Sequence, residues 1–121
     1  VKFNHVTLSV KDLAASMAFY QEIVGLTVTR RFQGGPDTEI VFLGSGGTEV
    51  ELICNKTAPG AGTSPGAGIS MGFISPSIDD TIKLLREKGY ETDGVIVKPN
   101  PNTSFFFALD PDGFRVQFMQ E

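Results

Sequence analysis

The 121-residue chain has no tryptophan, one cysteine, Cys54, and one histidine, His5. A single cysteine excludes an intrachain disulfide and a zinc site made of thiolates. It also leads us to expect a reducing, cytoplasmic setting. With no cation beside it in the sequence, Cys54 reads as a small apolar residue rather than an activated thiolate. Basic residues are outnumbered, ten against fourteen acidic ones, for a formal net charge of -4. That argues against a nucleic-acid partner, because phosphate binding needs a basic footprint. The nearest basic cluster, Arg30-Arg31, is split by geometry, since adjacent strand residues point to opposite faces. No apolar run approaches a membrane span. The opening VKFNHV is no signal-peptide core, because Asn4 and His5 interrupt it. A charged fraction of 20% and a hydrophobic fraction of 40% then suit one globular domain that buries a core.

What is present repeats. Residues 12–24 read as a helix, with Asp12 as N-cap, a stripe of Leu13, Met17, Tyr20 and Val24, and Gly25 ending it. Residues 78–88 read likewise, with Ser77 as cap, Asp80 as capping-box acid, a stripe of Ile78, Ile82 and Leu85, and Gly89 at the end. HVTL (5–8) lies against SMGF (70–73), and LGSGGTEVELI (43–53) against LDPDGFRVQFM (109–119). The offset holds at about 65 residues, the mark of a tandem structural repeat. Each half reads strand, helix, strand, strand, strand. The strands are 2–10, 27–33, 38–44 and 48–54, then 68–75, 92–98, 103–109 and 114–120. The modules are 1–55 and 68–121, with a Gly-, Pro- and Ala-rich connector at 56–67.

The strands alternate in polarity. Val6, Leu8 and Val10 oppose Phe3, His5, Thr7 and Ser9; Val50 and Leu52 oppose Glu49, Glu51 and Ile53. The aliphatic sets cover the helices and leave a second, more polar face. The repeat sets His5 opposite Ser70 and Glu51 opposite Gln117. If the halves form one continuous curved sheet, these four converge at its centre.

HVTLSVKDLAASMAFYQEIVGL, EVELICN and the closing LDPDGFRVQFM resemble the vicinal oxygen chelate superfamily. Glyoxalase I, extradiol dioxygenases and bleomycin-resistance proteins belong to it. The resemblance implies an α+β fold: two βαβββ modules forming an open, cup-shaped, eight-stranded mixed sheet with helices on its convex face. It also implies a homodimer and a small-molecule ligand; charge and hydropathy, as above, lead us to expect no nucleic-acid or membrane partner.

The family's metal-ligand positions fall on His5, Glu51, Ser70 and Gln117. Ser70 stands where a histidine is usual, and Gln117 where a glutamate is usual. The implied cofactor is one divalent ion (Zn, Ni, Mn or Fe) on His5, Glu51 and Gln117, with Ser70 a poor ligand left to the substrate. Gln117 cannot shuttle a proton, since an amide is no general base. In the glyoxalase and epimerase branches the last-strand glutamate shuttles the proton, so the resemblance leaves Glu51, the pseudo-symmetric carboxylate, as the catalytic candidate. Asn55 and Lys98 match residues that bind the glutathione part of a glyoxalase substrate, while Ser9 replaces an arginine. Phe106, with Met119 nearby, is a candidate apolar wall; core packing explains the Phe105–Phe107 run equally well. Two functions stay open: a metal-assisted glyoxalase-like lyase or isomerase, and a metal-free protein that binds or sequesters a drug or metabolite.

Overall fold

In the computed structural model, residues 1–59, 65 and 68–120 are described. The chain divides into two compact units, Val1–Ser64 and Pro65–Glu121. Their boundary lies inside the expected connector, most of which (60–64, 66–67) lies outside the described residues. The first unit runs β1 (His5–Ser9), α1 (Leu13–Ala18), a π-helical turn (Phe19–Ile23), β2 (Thr27–Gly35), β3 (Thr38–Gly44) and β4 (Glu49–Asn55). The second runs β5 (Ser70–Ile74), α2 (Ile78–Glu87), β6 (Val97–Asn100), β7 (Thr103–Leu109) and β8 (Arg115–Gln120). The fold is α+β, a βαβββ order used twice. Each unit holds an open four-stranded mixed sheet, ordered β1-β4-β3-β2 and β5-β8-β7-β6.

The repeat extends to the register. β1 runs parallel to β4 with Thr7 beside Glu51, and β5 parallel to β8 with Gly72 beside Gln117. Parallel neighbours need a crossover, and the helix supplies it in each unit. Both helices begin on the expected caps. The Ala15 N–H donates to Asp12 Oδ1 at 3.1 Å, and the Asp80 N–H to Ser77 Oγ at 3.2 Å. No capping box closes at Ser77, because its N–H donates to Ser75 Oγ instead. The Gln120 amide oxygen also accepts from the Ile78 N–H at 2.8 Å, tying α2 to β8. Gly25 and Gly89 end the helical stretches at φ +84° and +79°, a conformation that costs glycine little.

Two expectations need correction. Residues 12–24 are not one regular helix: after Ala18 the chain widens, and the Val24 N–H reaches back to the Phe19 carbonyl. The extra residue in that turn lets consecutive aromatics, Phe19 and Tyr20, both be fully buried. The buried stripe becomes Leu13, Ser16, Phe19, Tyr20 and Ile23, leaving Met17 and Val24 half-buried. The sixth strand starts at Val97, not at 92. Thr92 Oγ1 and Asp93 Oδ1 accept from the Gly94 and Val95 N–H groups, and Gly94 sits at φ +65°. Side chains thus take the backbone donors that a ladder would use.

The core of each unit lies between sheet and helix. Leu8, Val10, Leu43, Val50 and Leu52 pack under α1 and its extension; Phe106, Ala108, Val116 and Phe118 pack under α2 with Ile78, Ile82 and Leu85. The stacked Phe106 and Phe118 rings, 5.3 Å apart, are the largest piece of the second core.

Candidate functional site

The opposite face of the first sheet is polar. β1 contributes His5 and Thr7, and β4 contributes Glu49, Glu51 and Asn55. His5 Nε2 lies 3.7 Å from Glu51 Oε1, with side-chain exposures of 34% and 15%. That exceeds hydrogen-bond length but gathers an imidazole nitrogen and a carboxylate oxygen at one point. Thr7 Oγ1 donates to Glu51 Oε1 at 2.5 Å and fixes the carboxylate. Glu49 is held by the Thr29 hydroxyl. Behind His5, the Asn4 amide contacts Nδ1 at 2.7 Å. With the amide N–H donating there, neutral His5 carries its proton on Nε2. Turning the amide over would present Oδ1 to an Nδ1–H and free the Nε2 lone pair for an ion.

Beneath these groups lies Phe42, buried, its ring edge-on to His5 at 5.2 Å and stacked near Phe32 at 6.3 Å. The Arg30 guanidinium lies 4.2 Å from the Phe42 centroid. Arg31 points the other way and pairs with Glu39 at 2.5 Å, as strand alternation requires. Asn55 shares the polar face by register. Its Oδ1 accepts from the Thr57 and Ala58 N–H groups and the Thr57 hydroxyl. Its amide oxygen therefore closes the turn after β4, and the amide N–H is what it has to offer a ligand.

In the second unit, Ser70, Gln117 and Met119 share the face away from α2. Gln117 Oε1 leans over Gly72, 3.4 Å from where a side chain there would begin. Two candidates, the apolar-wall residue Phe106 and the substrate-binding Lys98, are not on that face. Phe106 pairs with Phe118 on the helix side and is fully buried, whereas Phe105 pairs with Met119 and Phe107 with Gln117. Phe105 and Phe107 are therefore the aromatics beside Met119. Lys98, next to Val97, which pairs with Phe105, falls on the helix side as well. It lines a depression of about 280 Å³ with Ile78, Asp79, Ile96, Ser104 and Gln120.

The donor chemistry of His5 and Glu51 fits half of a divalent-ion site. Among the described residues no group of three or more His, Cys, Asp or Glu side chains gathers. Sequence reasoning missed Thr7, Arg30 and Phe42. Thr7 and Phe42 sit beside named candidates, but β3 reads IVFL, an unbroken apolar run in which alternation is invisible.

The family model for the Glyoxalase/Bleomycin resistance protein/Dioxygenase superfamily matches residues 2–118. A lactoylglutathione lyase of Neisseria meningitidis is 26% identical over 127 residues, covering all of this chain and 91% of that protein. The Bacillus subtilis protein YwkD is 27% identical, covering 98% and 95%. A glyoxalase family protein from Enterococcus faecalis superposes with a TM-score of 0.73 at 26% identity, covering 96% and 94%. The trypanothione-dependent glyoxalase I of Leishmania major gives 0.80 at 22% identity, covering 100% and 87%, a likeness of fold alone. With nearly its whole length matched by that model, the chain belongs to the Glyoxalase/Bleomycin resistance protein/Dioxygenase superfamily.

Proposed function

We propose that the protein binds a small molecule on the His5–Glu51 face of its first unit and acts on it as a glyoxalase-like lyase or isomerase assisted by one divalent ion. The observation that carries this reading is the 3.7 Å approach of His5 Nε2 to Glu51 Oε1, from strands far apart in the sequence. The proposal is confined to residues of the first unit. His5 and Glu51 would hold the ion, which when bound polarises a carbonyl of the ligand. Thr7 holds Glu51 by one carboxylate oxygen, leaving the other to take and return a proton. Asn4 orients the imidazole. Lactoylglutathione lyase activity, named for the Neisseria relative, is the first activity to assay.

The test is metal content after reconstitution with Zn²⁺, Ni²⁺ or Mn²⁺. Wild type should retain about one ion per chain, and His5→Ala and Glu51→Gln should each lose it. Equal retention by the variants, or none by wild type, refutes the reading. A second reading, metal-free binding of a drug or metabolite, is favoured by one observation. Among the described residues the strong donors gathered on this face number two, beside an aromatic platform of Phe32 and Phe42. Chelator-insensitive thermal stabilisation by aromatic compounds would select it. We extend the proposal to a homodimer, which suits the exposed Ile69, Ile74, Val95 and Val97 of the second unit; light scattering decides it.

A further inference from the structure

We infer that Arg30 anchors a carboxylate of the molecule bound on the first unit's polar face, which makes that molecule a small organic acid with a flat apolar body. The inference rests on the His5–Glu51 face being the ligand site, and not on the ion.

Pairing puts four residues on one rung across the sheet: Arg30 on β2, Phe42 on β3, Glu51 on β4 and Thr7 on β1. Neighbouring strands are about 4.8 Å apart, so the Arg30 and Glu51 backbones stand roughly 10 Å apart. The guanidinium lies over Phe42, the residue between them on the rung, and so leans toward Glu51. A guanidinium whose carbon sits 4.2 Å over the ring still carries N–H groups that can take a planar oxyanion.

The Arg30 guanidinium has no carboxylate partner among the described residues. The ion pairs His5–Glu51, Arg31–Glu39 and Lys83–Glu87 do not involve it. The two acids on Arg30's own face are held by hydroxyls, Glu51 by Thr7 and Glu49 by Thr29. Those same acids choose among anions. A dianionic phosphate would meet two nearby carboxylates, whereas a monoanionic carboxylate suffers half that repulsion. Phe32, 41% exposed and stacked near Phe42, offers the surface for an apolar body.

The test titrates the metal-free 121-residue chain with phenylglyoxylate and with its uncharged methyl ester, by calorimetry and NMR. The acid should bind at least about tenfold more tightly than the ester, the scale of one charge-assisted hydrogen bond. Arg30→Met should abolish the preference, Arg30→Lys should retain part of it, and the Phe42 ring and Arg30 Nε–H signals should shift. Equal binding of acid and ester, an unaffected Arg30→Met, no binding of the acid, or shifts confined elsewhere each overturn the inference. The two proposals fail separately. If wild type retains no metal but the Arg30-dependent preference persists, the anchor stands and the metal reading falls. If metal is retained and the preference is absent, the anchor falls alone.

Discussion

Exchange of two neighbouring phenylalanines for alanine measures which face of β7 is core. Phe106 is 0% exposed, and its ring stacks on Phe118 at 5.3 Å between sheet and α2. Phe106→Ala removes the whole ring from a site that helix and sheet hold open, so little of the void can close. Such truncations cost about 3–5 kcal/mol, a large share of the roughly 5–15 kcal/mol that holds a domain together. At this chain length that lowers the melting temperature by about 10–20 °C. Phe107 is half-buried on the other face, with the Arg115 guanidinium 4.2 Å from its ring. Phe107→Ala forfeits part of a transfer term and a cation–π contact of about 0.5–1 kcal/mol, for a total near 1–2 kcal/mol. Urea denaturation followed by far-UV circular dichroism, with thermal melting beside it, compares the two. A Phe107→Ala cost equal to or above that of Phe106→Ala would refute the assignment of faces.

Asn4→Leu removes the amide at His5 Nδ1 and should weaken Zn²⁺ binding about tenfold, the low end for a ligand's supporting partner because His5 is one-third exposed. Competition against a chromophoric chelator checks this, and unchanged affinity would show that Asn4 does not orient the imidazole. The hydrogen bond from Arg31, and then its charge, hold the Glu39 carboxyl below the usual carboxylate range. A depressed pKa in the folded state contributes stability above the ordinary glutamate value, and that contribution fades as pH falls through the folded value. Glu39→Gln should therefore be slightly less stable than wild type near neutral pH, with the gap closing in acid; a gap that widens in urea midpoints on acidification contradicts the pairing.

Much of this fold is legible in the residues. Asp12 and Ser77 cap helices, and Gly25 and Gly89 stop them, because those jobs depend on one side chain or its absence and need no distant partner. Val50-Leu52 and Val116-Phe118 show their buried face by strict alternation. His5 and Glu51 were found as candidates from a repeat and a resemblance. Where every residue of a run is apolar, as in IVFL and FFF, periodicity carries no information: Phe42 goes unseen, and wall and core stay equally open for Phe106 until register puts it on the helix side.

The sequence by itself determined the elements and their duplicated order, since caps, turn glycines and two-residue alternation act over a few bonds. Only the tertiary structure decided which aromatic faces the helix and which the opposite side of the sheet, and that Thr7, Glu51, Phe42 and Arg30 lie on one rung. Strand order and register set those neighbours, and they depend on contacts between segments that no local pattern encodes.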